Sequence, residues 1–209
     1  MAWEQIRAAG TIAVVRPGPR GIEVLVLRRS SRHRFLPGYV VFPGGAVEPA
    51  DPERAERWFG DPVHAARACA VRELAEEAGL LSTAAGLVTA PGARGTGPEA
   101  VGDFPGGPPR AEALPEICRW IAPEDVPARF DTRFFAVAAP RELDPVPDGA
   151  EASHAWWARP PDLLEANNSG GCSLYWPTMK VLEGLAACRS VEEALAARIS
   201  PDEPEVQIV

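Results

Sequence analysis

The chain is almost without lysine. Of its 21 basic residues only Lys180 is one, and acidic residues outnumber basic ones 29 to 21, for a formal net charge of −8. That balance excludes a general nucleic-acid binder, which needs a basic face to neutralise phosphates. Cysteine is sparse as well: Cys69, Cys118, Cys172 and Cys188 stand far apart with no C-x-x-C pair, and His33, His64 and His154 add no metal-ligand spacing. A zinc site and a dense disulfide framework are thereby excluded, and reduced thiols in a cytoplasmic protein are the expectation. No apolar run approaches the roughly 20 residues that a bilayer span requires, so no membrane partner is expected. The opening MAWEQIRAAG lacks the apolar centre of a secretory signal.

What is present fits one domain, residues 1–209, large enough to bury a core. TIAVV (11–15) and IEVLVL (22–27) are β-branched or apolar runs joined by RPGPRG, the pattern of a hairpin. YVVF (39–42) reads as a third strand, stopped by Pro-Gly-Gly. Val63, Ala66, Ala70 and Leu74 recur at helical spacing and predict a helix over 62–78, ended by Gly79. Between 86 and 115, 13 of 30 residues are Gly or Pro, which predicts a long surface loop or mobile lid and no core element. Strand character returns at 131–140 and 152–158. Helices are expected in PPDLLEAN, from about 177 onward, and after Ser190, where Ser190 and Glu193 form a capping box. The fold class is therefore α/β, or an α+β sandwich, with a mixed sheet packed between helices.

Two patterns carry chemistry. The first is the end of the central helix, CAVRELAEEAGLL, where Glu73, Glu76 and Glu77 stand at i, i+3 and i+4 and share one side. Each close like-charged pair costs about 0.2–0.5 kcal/mol on an exposed helix, and the C-terminal end of the helix dipole also disfavours negative charge. A solvated acidic face, with Arg72 pairing to Glu76, is one account. The other is a hard divalent ion, Mg²⁺ or Mn²⁺, bound by the three carboxylates and bridging to substrate phosphates. Such an ion offsets charge on a pyrophosphate and acidifies the attacking water. The second pattern is the arginine-rich stretch from Arg16 to Arg34, six arginines against one acid, Glu23. It reads either as a solvated face or as a positive funnel for an anionic small molecule.

RELAEEAGL (72–80) resembles the second half of the Nudix box, R-E-U-x-E-E-x-G-U with U apolar, at every specified position, and FPGGAVEPAD supplies the glycine pair, Gly44 and Gly45, of its first half. The resemblance implies the Nudix fold and metal-dependent cleavage of a nucleoside diphosphate linked to another group. It implies Glu73 and Glu77 as principal metal ligands, Glu76 sharing the role, Arg72 orienting a glutamate, and Gly44–Gly45 as a turn at the helix entrance. Homodimers are frequent among such relatives. The pattern departs at Asp51, where the family has glutamate, and 20 residues separate Asp51 from Arg72. About 13 of them, PERAERWFGDPVH, read as an insertion, with Trp58 and Phe59 expected to pack in the interior.

Upstream, Arg29, Ser30, Arg34, Gly38, Phe42, Pro43, Gly44 and Gly45 match R-[SA]-x3-R-x3-G-x3-F-P-G-G, a signature of Nudix hydrolases acting on coenzyme A. It implies coenzyme A or acyl-CoA as the small-molecule substrate, cut to 3′,5′-ADP and 4′-phosphopantetheine. Arg29 and Arg34 are then phosphate-binding candidates, because guanidinium pairs with phosphate in a bidentate fork. ADP-ribose, NADH and dinucleoside polyphosphates are the alternative substrates, and a silent nucleotide sensor the alternative class. The general base stays open among Glu73, Glu76, Glu77 and a carboxylate outside the box such as Glu151. FPGG recurs at 104–107 before two prolines and no carboxylate helix, so that copy is assigned to the loop. The chain ends VQIV, without a peroxisomal tripeptide.

Overall fold

A computed structural model describes residues 6–31, 36–102, 104, 106–124 and 129–201. The predicted hairpin is β1 (Arg7–Gly18) and β2 (Gly21–Arg29), antiparallel with Gly18 opposite Gly21 across the turn. The third strand shrinks to β3 (Val40–Val41), which pairs with Leu27 and Arg28. The glycine pair opens β4 (Gly44–Ala46), set antiparallel on Ala9–Thr11.

Next comes α1 (Asp51–Phe59), a helix that apolar periodicity did not announce. Its start has Pro52 in the first turn beside Asp51 and Glu53, and its end is Gly60 at φ 77°, whose N–H bonds the Glu56 carbonyl. These are ordinary helix-boundary chemistries. A single 3-10 turn, Pro62–His64, leads into α2 (Ala65–Ala78). Gly79 at φ 61° closes α2 by bonding the Ala75 and Leu74 carbonyls, the role the sequence assigned to it.

Beyond α2, β5 (Leu80–Thr83) and β6 (Gly86–Thr89) form a separate two-stranded ribbon. Here the loop expectation for 86–115 needs correction at its start and in its burial. Leu87, Ala93 and Leu114 are buried. Alanine and leucine spaced among the glycines are enough to fasten an otherwise irregular segment against neighbouring elements. The sheet continues with β7 (Glu116–Ile121), β8 (Phe130–Ala138) and β9 (Ala152–Ala158), and the chain ends in α3 (Pro160–Asn168), α4 (Trp176–Ala186) and α5 (Val191–Ala196). Ser190 caps α5 by accepting the Glu193 N–H.

Among the described residues seven strands make one mixed sheet, ordered β3-β2-β1-β8-β7, with β4 on β1 and β9 on β2. The β1–β8 pair is parallel and the others antiparallel. Alternation along β1 divides the core. Ile12 and Val14 join Val71, Leu74 and Phe135 under α2, while Ala13 and Val15 join Phe134, Val181, Leu182 and Leu185 under α4. Each fully buried Leu or Val of these two layers contributes about 1.5–3 kcal/mol. The result is the expected sheet between helices.

One small residue sets how deep α2 sits. A Cβ built on Gly10 of β1 would collide with the Ala66 carbonyl oxygen, so the absence of a side chain lets the helix backbone touch the strand. That contact brings the carboxylate end of α2 to the edge of β4.

Candidate active site

Glu73 and Glu77 lie one turn apart on α2 and face β4. The Gly44 N–H donates to Glu77 Oε2 at 3.0 Å. A Cβ on Gly45 would collide with the Glu73 carboxylate, and one on Gly44 would lie 2.6 Å from Thr11 Oγ1. The glycine pair is thus a short strand, not the turn expected of it; the Glu73 carboxylate fills the space a side chain at Gly45 would take, and Thr11 of β1 fills that at Gly44.

Glu73, Gly44 and Gly45 line a cavity of about 310 Å³ together with Arg29 from the end of β2 and Glu151 from the approach to β9. Phe42, Trp120, Phe134 and Tyr175 form its apolar side. Arg29, singled out for phosphate, therefore shares a wall with the carboxylate helix. Arg34, its companion, falls outside the described residues.

Arg72 is the pivot of the cluster. Its Nε donates to Asp51 Oδ1 at 3.2 Å and its second terminal nitrogen to Asp51 Oδ2 at 3.3 Å. The other terminal nitrogen pairs with Glu76 Oε2 at 2.8 Å and Glu73 Oε1 at 2.9 Å. Asp51 is fully buried and also accepts the Glu48 N–H at 2.8 Å and an Arg54 N–H at 2.9 Å. A buried carboxylate with four donors is well compensated, whereas an unpaired one would cost several kcal/mol.

These environments perturb the charges in a readable way. Burial raises the Glu73 carboxyl to about 7 against the opposing pull of Arg72, with Glu76 adding to the rise. Glu77 is pushed well up by burial and then by Glu73, with Arg29 and the Gly44 N–H holding it down. Glu76 is raised by burial, opposed by Arg72. Burial works against the Arg72 guanidinium, but Asp51 and Glu73 more than restore its charge. Two carboxylates that resist ionising side by side are a place where added positive charge is strongly favoured.

Among the described residues no three side chains of His, Cys, Asp or Glu are gathered into a ready-made chelate. Mg²⁺ and Mn²⁺ do not demand one: a hard ion of this kind is held by one or two carboxylates and completes its shell with waters and substrate phosphates. Glu73 and Glu77, oxygen donors that repel one another beside an open cavity, fit that description. Glu76 lies differently, paired to Arg72 and close to Gly97 rather than in the cavity wall.

Sequence reasoning brought Glu73, Glu77, Gly44, Gly45 and Arg29 to one place. It did not foresee that Asp51 holds Arg72 from the far side, or that Trp120 and Tyr175 would furnish an apolar wall. The signal for Asp51 was its position six residues past Gly45. The aromatics carried none, because β7 and α4 reach the cavity only through the sheet order. Trp58 and Phe59 pack as expected: Trp58 meets Phe104 edge-on at 5.2 Å, away from the cavity.

No family model matches the chain. Among curated proteins it resembles one of Caenorhabditis elegans, provisionally named nudix hydrolase 7, at 31% identity over 173 residues, 78% of this chain and 55% of the relative. It also resembles an acyl-coenzyme A diphosphatase of Gallus gallus, at 28% identity across 71% of this chain and 57% of the relative. The chain thus spans little more than half the length of these two. The crystal structure of a NUDIX hydrolase from Alicyclobacillus acidocaldarius superposes with a TM-score of 0.79 and 34% identity, covering 96% of this chain and 100% of the other. With a solved structure of that family matched along its entire length, this chain belongs to the Nudix hydrolases.

Proposed function

We propose that the chain hydrolyses the pyrophosphate of coenzyme A or an acyl-CoA, releasing 3′,5′-ADP and the (acyl-)4′-phosphopantetheine. The observation that carries this reading is the shared wall of Glu73, the glycine pair and Arg29, one cavity holding acid and base where a charged diphosphate needs both. The arginine–glycine signature leading into FPGG supports coenzyme A among nucleoside diphosphate compounds, as does the resemblance to the Gallus gallus protein.

In this reading Glu73 and Glu77 would hold Mg²⁺ or Mn²⁺, and Glu76, the Arg72-paired carboxylate, would share that role. The bound ion supplies charge neutralisation at the phosphate oxygens and acidifies water. Arg29, lining the same cavity, binds phosphate as a fixed cation. Arg72, immobilised by Asp51, keeps Glu73 in place. Glu151 lies in the same wall and outside α2, placed to take the proton of the attacking water; the new P–O bond forms as the bridging P–O bond breaks. The apolar side lets the cavity receive the organic part of the substrate. The scattered, unpaired cysteines support a cytoplasmic setting. None of the described helices is long and apolar enough to cross a membrane.

A panel assay tests the proposal: coenzyme A, an acyl-CoA, ADP-ribose, NADH and a dinucleoside polyphosphate at equal concentration with Mg²⁺ or Mn²⁺, products identified by mass spectrometry. The expected result is turnover of the coenzyme A compounds above the rest and none in EDTA. Equal turnover of ADP-ribose would remove the coenzyme A assignment, and binding without products would indicate a sensor.

A further inference from the structure

Beyond Asp51, the helix α1 and the glycine- and proline-rich segment have no part in the mechanism above, yet charged side chains connect both to its centre. Glu99 Oε1 accepts from Arg54 Nε at 2.7 Å and from Arg57 at 3.5 Å. Arg54 then donates through a terminal nitrogen to Asp51 Oδ1 at 2.9 Å, the same oxygen that receives Arg72 Nε. Arg72 continues to Glu76 and Glu73. The backbone runs alongside: the Gly95 N–H bonds the Glu76 carbonyl at 3.0 Å, and Gly97 lies against the Glu76 side chain.

Asp51 is the vulnerable link. It has no access to water, and two guanidinium groups and a backbone N–H satisfy it. Arg54, with a side chain only 16% exposed, is the second guanidinium on Asp51, beside an Arg72 that divides its bonds between Asp51 and the helix glutamates. Without Arg54, Arg72 alone must compensate the buried Asp51, and its hold on Glu73 and Glu76 weakens. Glu99, in turn, fixes the rotamer of Arg54.

We infer that Arg54, held by Glu99, is a positioning residue that sets the Arg72 guanidinium and through it the carboxylates of α2. The inference rests on the metal-dependent reading of those carboxylates. It makes α1 and the residues near 97–99 the outer clamp of the ion site.

The test is Mn²⁺ titration of the metal-free 209-residue chain, followed by electron paramagnetic resonance without substrate, beside turnover of coenzyme A. Arg54→Gln is expected to weaken Mn²⁺ binding about 10–100-fold, the usual effect of losing a group that orients a ligand, while KM for coenzyme A at saturating Mn²⁺ stays near wild type. Arg54→Lys should recover part of the affinity. Should Arg54→Gln fold poorly, Glu99→Gln, one step further from the ligands and at a more exposed site, should weaken Mn²⁺ binding by up to about 10-fold with a normal circular dichroism spectrum. Wild-type Mn²⁺ affinity in a folded Arg54→Gln, or in Glu99→Gln when that variant serves instead, overturns the inference. If Glu77→Gln is inactive in the same series, the hydrolase reading survives that loss. A wild-type chain that takes up no Mn²⁺ overturns both.

Discussion

The same four residues, Phe-Pro-Gly-Gly, occur at 42–45 and 104–107, and their glycines are glycine for opposite reasons. In the first copy neither has a positive φ; a Cβ there would strike Glu73 or lie within 2.8 Å of Thr11 and the Gly10 carbonyl. In the second copy Gly106 and Gly107 take φ of 77° and 96°, and a Cβ would come no closer than 3.4 Å to anything. One pair is dictated by what stands beside it, the other by how the backbone turns. The phenylalanines differ likewise: Phe42 lines the cavity, whereas Phe104 meets the edge of Trp58. A motif's chemistry thus comes from the helix it faces, and only the first copy faces one with carboxylates.

Four tests separate the copies: carboxylate substitutions, a pair of alanine variants, pH and the loss of Phe104. Glu77→Gln, on the helix facing the first copy, should lower kcat for coenzyme A hydrolysis at least about 10²-fold, and Glu76→Gln, on the outer side, should lower it less. Full Mg²⁺-dependent turnover by Glu77→Gln would detach the first copy from catalysis. Gly45→Ala should reduce kcat about 10-fold or more, by displacing the Glu73 carboxylate proposed to hold the metal, with little change in Tm. Gly107→Ala should do the reverse: a loss of about 1–2 kcal/mol in urea unfolding, from a left-handed backbone, at unchanged kcat. If the two alanine variants behaved alike, both pairs would be glycine for one and the same reason.

The third condition is pH. The Glu73 carboxyl rises from 4.5 to about 7 on folding. A carboxyl raised in this way favours the folded state fully below about pH 4.5, and that contribution disappears as pH climbs through 7. In EDTA the unfolding free energy of the wild type should therefore fall relative to that of Glu73→Gln between pH 5 and pH 8, by an amount on the order of 3 kcal/mol. Mg²⁺ should restore the wild type alone. A gap constant with pH would mean that the carboxylate is not under strain. Last and smallest, Phe104→Ala should cost about 1–2 kcal/mol, for an aromatic contact that is only part-buried, and leave kcat intact.

Much of this was legible in the residues, for identifiable reasons. The hairpin, α2 and its Gly79 stop follow from local periodicity and cap chemistry, which act over a few residues. So does the shared face of Glu73 and Glu77. Missed were β4, β5, β7 and α1. β4 is two glycines and an alanine, and nothing in them suggests a strand until β1 lies alongside. In β7, Cys118 and Trp120 face the α4 side through a register shift that blurs the alternation. α1 is polar on most of its surface, and only Asp51 and Ala55 are buried. The segment 86–115 misled because composition describes how a backbone can bend and says nothing of where its few leucines and alanines come to rest.

Asp51 and Arg72 also show what kind of ruler the molecule uses. Along the chain 20 residues lie between them; across space a carboxylate oxygen and a guanidinium nitrogen are 3.2 Å apart. An excursion pinned at its base can lengthen at small entropic penalty, roughly 0.6 kcal/mol per doubling, without disturbing the atoms at its foot. A linear pattern counts the beads on the string, and the chemistry feels only the knot.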